Sequence, residues 1–118
     1  MTINNQNGLG PGFDVKGSEM RYRDAFNNTL RAELEYDENV LIIGEDISGG
    51  FDKKTKEPLD AWGGPFAATK GLVQDFGVER IMDAPISEAG FVGAAIGAAL
   101  TGLRPVVDLM YFDFTTVA

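Results

Sequence analysis

The sequence contains no cysteine and no histidine among its 118 residues. Without cysteine there is neither a disulfide framework nor thiolate chemistry. Without histidine the chain lacks the commonest general base and the commonest metal ligand. Any proton chemistry therefore rests on carboxylates, tyrosine or lysine, or on a group that another molecule supplies.

Positive charge is also scarce, because ten Lys and Arg residues stand against 18 Asp and Glu residues and give a formal net charge of −8. Nucleic acids and anionic membranes need a basic face, so neither is expected as a partner. No apolar run reaches the roughly 18 residues of a membrane span. The N-terminus lacks the basic start and apolar segment of a signal peptide. We therefore expect a cytoplasmic protein.

The first part of the chain changes pattern at residue 20. Residues 1–19 are rich in Asn and Gly and have no period, which predicts a mobile tail. Apolar residues then recur at four-residue spacing from Tyr22 to Leu34. This spacing predicts an amphipathic helix over about residues 21–36.

One short apolar run predicts a buried parallel strand, and two further segments also predict strands. In chain order, with the buried one first, they occupy residues 40–44, 80–84 and 104–112. Helices are predicted over 67–76 and 88–101, the second with Ser87 as N-cap, and the last residues predict the start of another helix. The order predicts an α/β fold, a parallel sheet with helices on both faces. Since three strands are few for such a sheet, residues 20–118 are interpreted as the N-terminal part of a truncated domain.

A polar segment with two Gly-Gly pairs fills residues 45–66. Loops of this length inside a compact domain are usually functional or disordered. Glu45 and Asp46 at its start are paired carboxylates, which suit acid/base work or a metal site. Solvated or interface hydrogen-bonding roles are the favoured interpretation for both.

The segment SEAGFVGAAIGAALTG places Gly90, Gly93 and Gly97 on one helical face. Each glycine inside a helix costs about 1 kcal/mol relative to alanine. Close approach of another backbone or of a ligand compensates for such a cost. Tight packing on the underlying sheet is the favoured interpretation, and contact with a partner helix is the alternative.

Glu88 stands at the start of this helix. Its simplest role is to offset the positive end of the helix dipole. Alternatively it points into the cleft beyond the strand ends, where α/β sheets bind ligands. There an ionised carboxylate accepts a hydrogen bond and takes a proton.

Glu88, four further residues and then GAAIGA match the Glu-x4-Gly-Φ-x-x-Gly-Φ pattern of the pyrimidine-binding domain of thiamine diphosphate enzymes. Together with VLIIGEDI, GGPFAATKGLVQDFG and the string RIMDAPISEAGFVGAAIGAALTGLRPVVDLMYFDF, the chain from 20 to 118 resembles one transketolase-like family. This family is the beta subunit of the decarboxylating first component of 2-oxoacid dehydrogenase complexes, which include pyruvate, branched-chain 2-oxoacid and acetoin dehydrogenases.

The resemblance implies thiamine diphosphate as cofactor and oxidative decarboxylation of a 2-oxoacid as reaction. In the family, the glutamate matching Glu88 hydrogen-bonds a ring nitrogen of the aminopyrimidine and favours its imino tautomer, whose nitrogen then removes the thiazolium proton. The residue matching Phe114 stacks on the aminopyrimidine. The residues matching Ile86 and Met110 line its pocket, although both are equally what a core would contain.

The chain lacks the Gly-Asp-Gly motif with which the family's alpha subunit holds the diphosphate and its metal. The resemblance therefore implies that thiamine diphosphate is shared with an alpha subunit and that Mg²⁺ binds on that partner chain only. It further implies a heterotetramer with a second beta subunit, docking on the acyltransferase core of the complex, and no activity of this part alone. The segment 47–66 is longer than in many members of the family.

Two other interpretations stay open. A non-catalytic interaction or dimerisation module derived from the same domain would keep the glycine helix. A nucleotide-binding α/β protein is less consistent, because GFVGAAIG has the wrong glycine spacing and does not leave a strand directly.

Overall fold

The computed structural model describes residues 20–49, Thr55 and residues 61–118. The elements in chain order are α1 (Tyr22–Tyr36), β1 (Val40–Glu45), α2 (Leu72–Phe76), β2 (Ile81–Ala84), α3 (Glu88–Leu100), β3 (Arg104–Asp108) and a 3₁₀ helix (Phe112–Thr116). The tail predicted at residues 1–19 and the middle of the loop predicted at 45–66 lie outside the described residues. In the described part, no helix is long and apolar enough to cross a membrane.

The three strands form one parallel sheet in the order β2-β1-β3. The connection from β1 to β2 and the connection from β2 to β3 run in opposite directions across this sheet. Because such crossovers are right-handed, their helices α2 and α3 lie on opposite faces. The predicted α/β fold with helices on both faces is confirmed.

The core lies between α1, α2 and one face of the sheet. Leu34, Ile42, Leu72 and Ile81 are at most 1% exposed, and they belong to one cluster of buried side chains. Alternate residues of β1 are buried, as expected of a strand whose core face repeats every second residue. Burying each large aliphatic side chain of this cluster contributes about 1.5–3 kcal/mol.

Helix α1 agrees with its prediction to within one residue, but its apolar stripe is only half covered. Leu30 and Leu34 are buried, whereas Tyr22 is 86% and Phe26 is 51% exposed. The first turns of α1 thus present an aromatic surface that no described residue covers.

The helix predicted over 67–76 is wrong in its first half, because residues 64–71 form turns and α2 begins at Leu72. Ala67 and Gly71 have φ angles of 54° and 79°. These left-handed conformations are incompatible with a right-handed helix.

Two further predictions, the end of the third strand and the side-chain cap at Ser87, are wrong. The third strand ends at Asp108 rather than at residue 112, since Met110 adopts a left-handed φ of 60°. The helix predicted at the end of the chain is a short 3₁₀ helix. Ser87 occupies the N-cap position of α3 but makes no side-chain cap, because its hydroxyl donates to the carbonyl of Pro85 at 3.2 Å.

Candidate functional site

The carboxyl ends of the three parallel strands meet at one edge of the sheet. In the strand register Glu45 pairs with Ala84, and Gly44 pairs with Asp108. The chain segments that follow the three strands therefore flank the same edge. In open α/β sheets ligands bind in the crevice beyond this edge.

Glu88 is the first residue of α3 and lies four residues past the end of β2. Its side chain is half-buried. The side chain of Glu88 makes no hydrogen bond and no ion pair with the residues of the described ranges. Its position agrees with a role against the helix dipole, and its carboxylate is available to a group from outside the described part.

Glu45 ends β1 at the same edge. Its Oε1 atom is buried, and it has no hydrogen-bond partner among the residues that the structure describes. Leaving a carboxylate oxygen buried and unpaired is costly, which points to a partner outside the described residues. The solvated role predicted for Glu45 is wrong for this oxygen, and the interface role stays a prediction. Asp46 is exposed, as a solvated role requires.

The turn after β1 is held by side chains from two other segments. The carboxylate of Asp83 accepts the backbone N–H of Ser48 at 2.8 Å and also accepts its hydroxyl. The hydroxyl of Thr69 donates to the carbonyl of Ile47 at 2.8 Å. Sequence reasoning missed both contacts, because an Asp at a strand end and a Thr in a turn carry no distance information.

A cavity of about 600 Å³ opens between α1, the turn before α2 and the residues that follow β3. Aromatic and apolar side chains dominate its lining, and they include Tyr22, Phe26, Phe66, Met110, Tyr111 and Phe112. The rings of Phe66 and Tyr111 meet edge to face at 5.1 Å. The volume falls in the range of about 300–1,000 Å³ that is usual for small-molecule sites.

The four predicted cofactor-binding residues divide between two places. Met110 lines the cavity, whereas Ile86, Glu88 and Phe114 are not among its lining residues. Ile86 is 85% exposed, so the alternative role in the core is wrong. Phe114 is half-buried, and its ring packs edge-on at 5.7 Å against Tyr111. The described residues thus bring Met110 and Phe114 near one another through Tyr111 but do not enclose all four in one pocket.

The glycine face of α3 is open. A β-carbon built on Gly93 or on Gly97 would meet no described atom within 4 Å. On the same helix Ile96 is 60% and Leu100 is 85% exposed. The favoured interpretation, tight packing of these two glycines on the sheet, is wrong. Contact with a partner helix stays a prediction.

The model of the family described as "Transketolase, pyrimidine binding domain" matches residues 18–118. Among curated proteins, the chain is 53% identical over 91 residues to the acetoin:2,6-dichlorophenolindophenol oxidoreductase subunit beta of Bacillus subtilis (strain 168). This match covers 77% of the chain and 27% of that protein.

Two further relatives carry related names. The mitochondrial pyruvate dehydrogenase E1 component subunit beta of Pisum sativum is 38% identical over 106 residues, which cover 90% of the chain and 26% of that protein. The 2-oxoisovalerate dehydrogenase subunit beta of Bacillus subtilis (strain 168) is 40% identical over 97 residues, which cover 82% of the chain and 26% of that protein. The chain thus spans about a quarter of the length of these curated relatives.

Proposed function

The chain belongs to the family of transketolase pyrimidine-binding domains, and from this premise we propose that it forms part of the beta subunit of a thiamine diphosphate-dependent 2-oxoacid dehydrogenase. In this proposal it binds the aminopyrimidine ring of the cofactor and acts with an alpha subunit in the oxidative decarboxylation of a 2-oxoacid. The names of the three relatives support the proposal, since each is a beta subunit of an oxidoreductase or dehydrogenase.

The residues at the carboxyl edge fit an aminopyrimidine ring. Glu88 is a half-buried carboxylate without a partner in the described ranges, which suits a ring nitrogen that shares a proton. Met110 and the half-buried ring of Phe114 offer apolar and aromatic contact, which suits a flat heterocycle. The observation that carries the proposal is the carboxylate at the start of α3, which has no partner in the described ranges and lies within the range that the family model matches.

When bound, thiamine diphosphate supplies the electron sink that decarboxylation requires. Glu88 holds or releases the proton at a ring nitrogen of the aminopyrimidine. Met110 and Phe114 give the ring an apolar and aromatic contact, and Ile86 covers it from the connector that precedes α3. This chain supplies the proton site and the orientation of the ring, while the alpha subunit holds the diphosphate and Mg²⁺.

The proposal requires partner subunits, and the exposed face of α3 is the surface that we expect a partner to contact. Gly93 and Gly97 permit close approach of another helix, and Ile96 and Leu100 offer apolar area to it. We assign this face to a contact within an assembly of alpha and beta subunits. The proposal also includes a second beta subunit in the assembly and docking of the assembly on the acyltransferase core of the complex. It further includes a cytoplasmic location.

A second candidate function draws on the same face. Exposed Ile96 and Leu100 beside two open glycines are also what a non-catalytic interaction or dimerisation module would present. Such a module would keep the α3 contact without any need for the carboxylate of Glu88. Cofactor binding therefore separates the two candidates.

The test uses the full-length protein that carries this chain, produced with and without an alpha subunit. Thiamine diphosphate is titrated by calorimetry with and without Mg²⁺, and carbon dioxide release is measured from pyruvate and from a branched-chain 2-oxoacid. We expect Mg²⁺-dependent binding and carbon dioxide release by the assembly only. Tight binding without the alpha subunit would overturn the shared site, and an assembly that binds no cofactor would favour the interaction module.

A further inference from the structure

Met110 has a backbone conformation that its side chain does not favour. Its φ is 60°, in the left-handed region. Glycine, Asn and Asp visit this region readily, whereas a non-glycine residue with a long side chain is held there only by its surroundings. Residues in such sparsely populated conformations cluster at active sites and ligand sites.

The surroundings that hold Met110 begin at Asp108. The Oδ1 atom of Asp108 accepts the backbone N–H of Met110 at 2.8 Å, so the side chain of the last strand residue closes a tight turn. One residue later, the N–H of Tyr111 donates to the carbonyl of Leu109 at 2.7 Å. These two hydrogen bonds fix the backbone on both sides of Met110.

Asp108 is in turn fixed by the sheet. It pairs with Gly44 in the parallel ladder, and a β-carbon on Gly44 would come within 2.7 Å of the Asp108 carbonyl oxygen. The missing side chain of Gly44 therefore lets Asp108 lie close against β1. A rigid strand end thus carries the acceptor that sets the backbone of Met110.

The turn determines which side of the chain Met110 presents. Met110 lines the 600 Å³ cavity together with its neighbours Asp108, Leu109 and Tyr111. The left-handed conformation ends β3 at Asp108, and the alternating directions of side chains along that strand end with it.

We propose that Asp108 is a positioning residue, which holds Met110 in its left-handed conformation and so sets the direction from which the methionine side chain contacts the aminopyrimidine ring. This inference rests on the proposed function. Asp108 itself touches no reacting atom in this account, and its effect passes through the backbone of Met110.

The first test compares Asp108→Ala with Asp108→Asn in the full-length protein assembled with its alpha subunit. Alanine removes the acceptor, whereas asparagine keeps an Oδ1 atom at the same place. We expect Asp108→Ala to raise the Kd for thiamine diphosphate with Mg²⁺ on the order of tenfold, and Asp108→Asn to restore binding to within about twofold of the wild type. A purely structural role would lower the melting temperature of Asp108→Ala and leave the Kd unchanged.

The second test compares Met110→Ala with Met110→Gly and does not depend on activity. Both variants remove the side chain, but only glycine accepts a positive φ without strain. At an ordinary position glycine is less stable than alanine, so the order of the two melting temperatures is diagnostic. We expect the glycine variant to melt higher than the alanine variant and both to bind the cofactor more weakly than the wild type.

The outcomes separate this inference from the proposed function. If the wild-type assembly binds no thiamine diphosphate, both fail. If the wild type binds and Asp108→Ala binds equally well, the positioning role alone fails. If Met110→Gly melts below Met110→Ala, Met110 is not held in the left-handed conformation and the inference is overturned.

Discussion

Gly44 lies directly against the backbone of Asp108, because a β-carbon on Gly44 would come within 2.7 Å of the Asp108 carbonyl oxygen and 3.0 Å of its Cβ. Two strands thus approach more closely at the carboxyl edge than a side chain would allow. This contact fixes the ends of β1 and β3 relative to each other. It makes a glycine inside a strand, normally a weak choice, a requirement of the site.

We predict that Gly44→Ala destabilises the subunit by about 1–3 kcal/mol, since the added methyl group forces the two strand ends apart. Urea denaturation of the unassembled subunit measures this change. Gly97→Ala is the matched control, because its β-carbon would meet no described atom within 4 Å. Equal stability of Gly44→Ala and the wild type would show that the close contact does not exist in solution.

The open glycines of α3 lead to a second prediction. Gly93→Ala should stabilise the unassembled subunit by about 0.5–1 kcal/mol, because alanine has the higher helix propensity and its methyl group has room. The same variant should weaken assembly with the alpha subunit, since the methyl group blocks close approach of a partner helix.

Sedimentation measures the association of the Gly93→Ala subunit with the alpha subunit. Glu79→Gln, on an exposed turn, is the control and should assemble with wild-type affinity. If Gly93→Ala assembles with wild-type affinity, this face of α3 is not part of the interface with the alpha subunit.

The hydrogen bonds from Ser48 to Asp83 give a third prediction. Asp83→Ala removes the carboxylate that accepts the backbone N–H and the hydroxyl of buried Ser48. The variant should lower the free energy of unfolding by about 1–3 kcal/mol. Asp75→Ala is the matched control: it breaks a 2.6 Å ion pair with Arg31 in which Asp75 is 54% exposed. Such surface pairs contribute about 0–1 kcal/mol. Denaturation curves in which Asp75→Ala loses as much as Asp83→Ala would contradict this assignment.

A fourth prediction concerns acid stability. Hydrogen bonds from the backbone and side chain of Asn39 lower the pKa of Asp37 below its usual value of 3.8, and the positive charges of Arg104 and Arg80 lower it further. A carboxyl group whose folded pKa is depressed contributes stability above its unfolded pKa, and this stability is lost as the pH falls through the folded pKa.

Asp37→Asn should therefore narrow the difference in melting temperature between neutral pH and pH values below about 4. Asn39→Ala keeps the backbone N–H that donates to Asp37 and should give an intermediate slope. Melting temperatures measured from neutral to acid pH check both variants. A slope for Asp37→Asn identical to that of the wild type would exclude Asp37 from the acid response.

Local patterns were sufficient to predict much of the fold. Apolar spacing placed α1 to within one residue, cap signals placed α3 to within one residue, and a run rich in β-branched residues placed β1. The predicted element ends are wrong where a left-handed backbone conformation sets the boundary. Left-handed Ala67 shortens α2, and left-handed Met110 ends β3. Propensity does not reveal a positive φ at an alanine or a methionine, because neighbouring hydrogen bonds impose it.

The candidate site was predictable only in part, for a different reason. The motif identified Glu88, and its place in the first turn of α3 agrees with the predicted helix start. The exposure of Ile86 and the open space over Gly93 were not predictable. Both depend on three-dimensional packing, and an apolar residue has the same identity in a sequence whether it is exposed, buried in its own fold or covered by a partner.

The central claim is that the Glu88 carboxylate acts on the cofactor, and turnover of Glu88→Gln in the complete assembly tests it most directly. Glutamine keeps the size of the side chain but cannot share a proton as a carboxylate does, while Glu79→Gln makes the same exchange on an exposed turn at the opposite end of β2. We predict that kcat for 2-oxoacid decarboxylation falls by about 10²–10⁴-fold in Glu88→Gln, while its melting temperature stays unchanged. The control variant Glu79→Gln should keep the wild-type kcat. Wild-type turnover by Glu88→Gln would contradict the account.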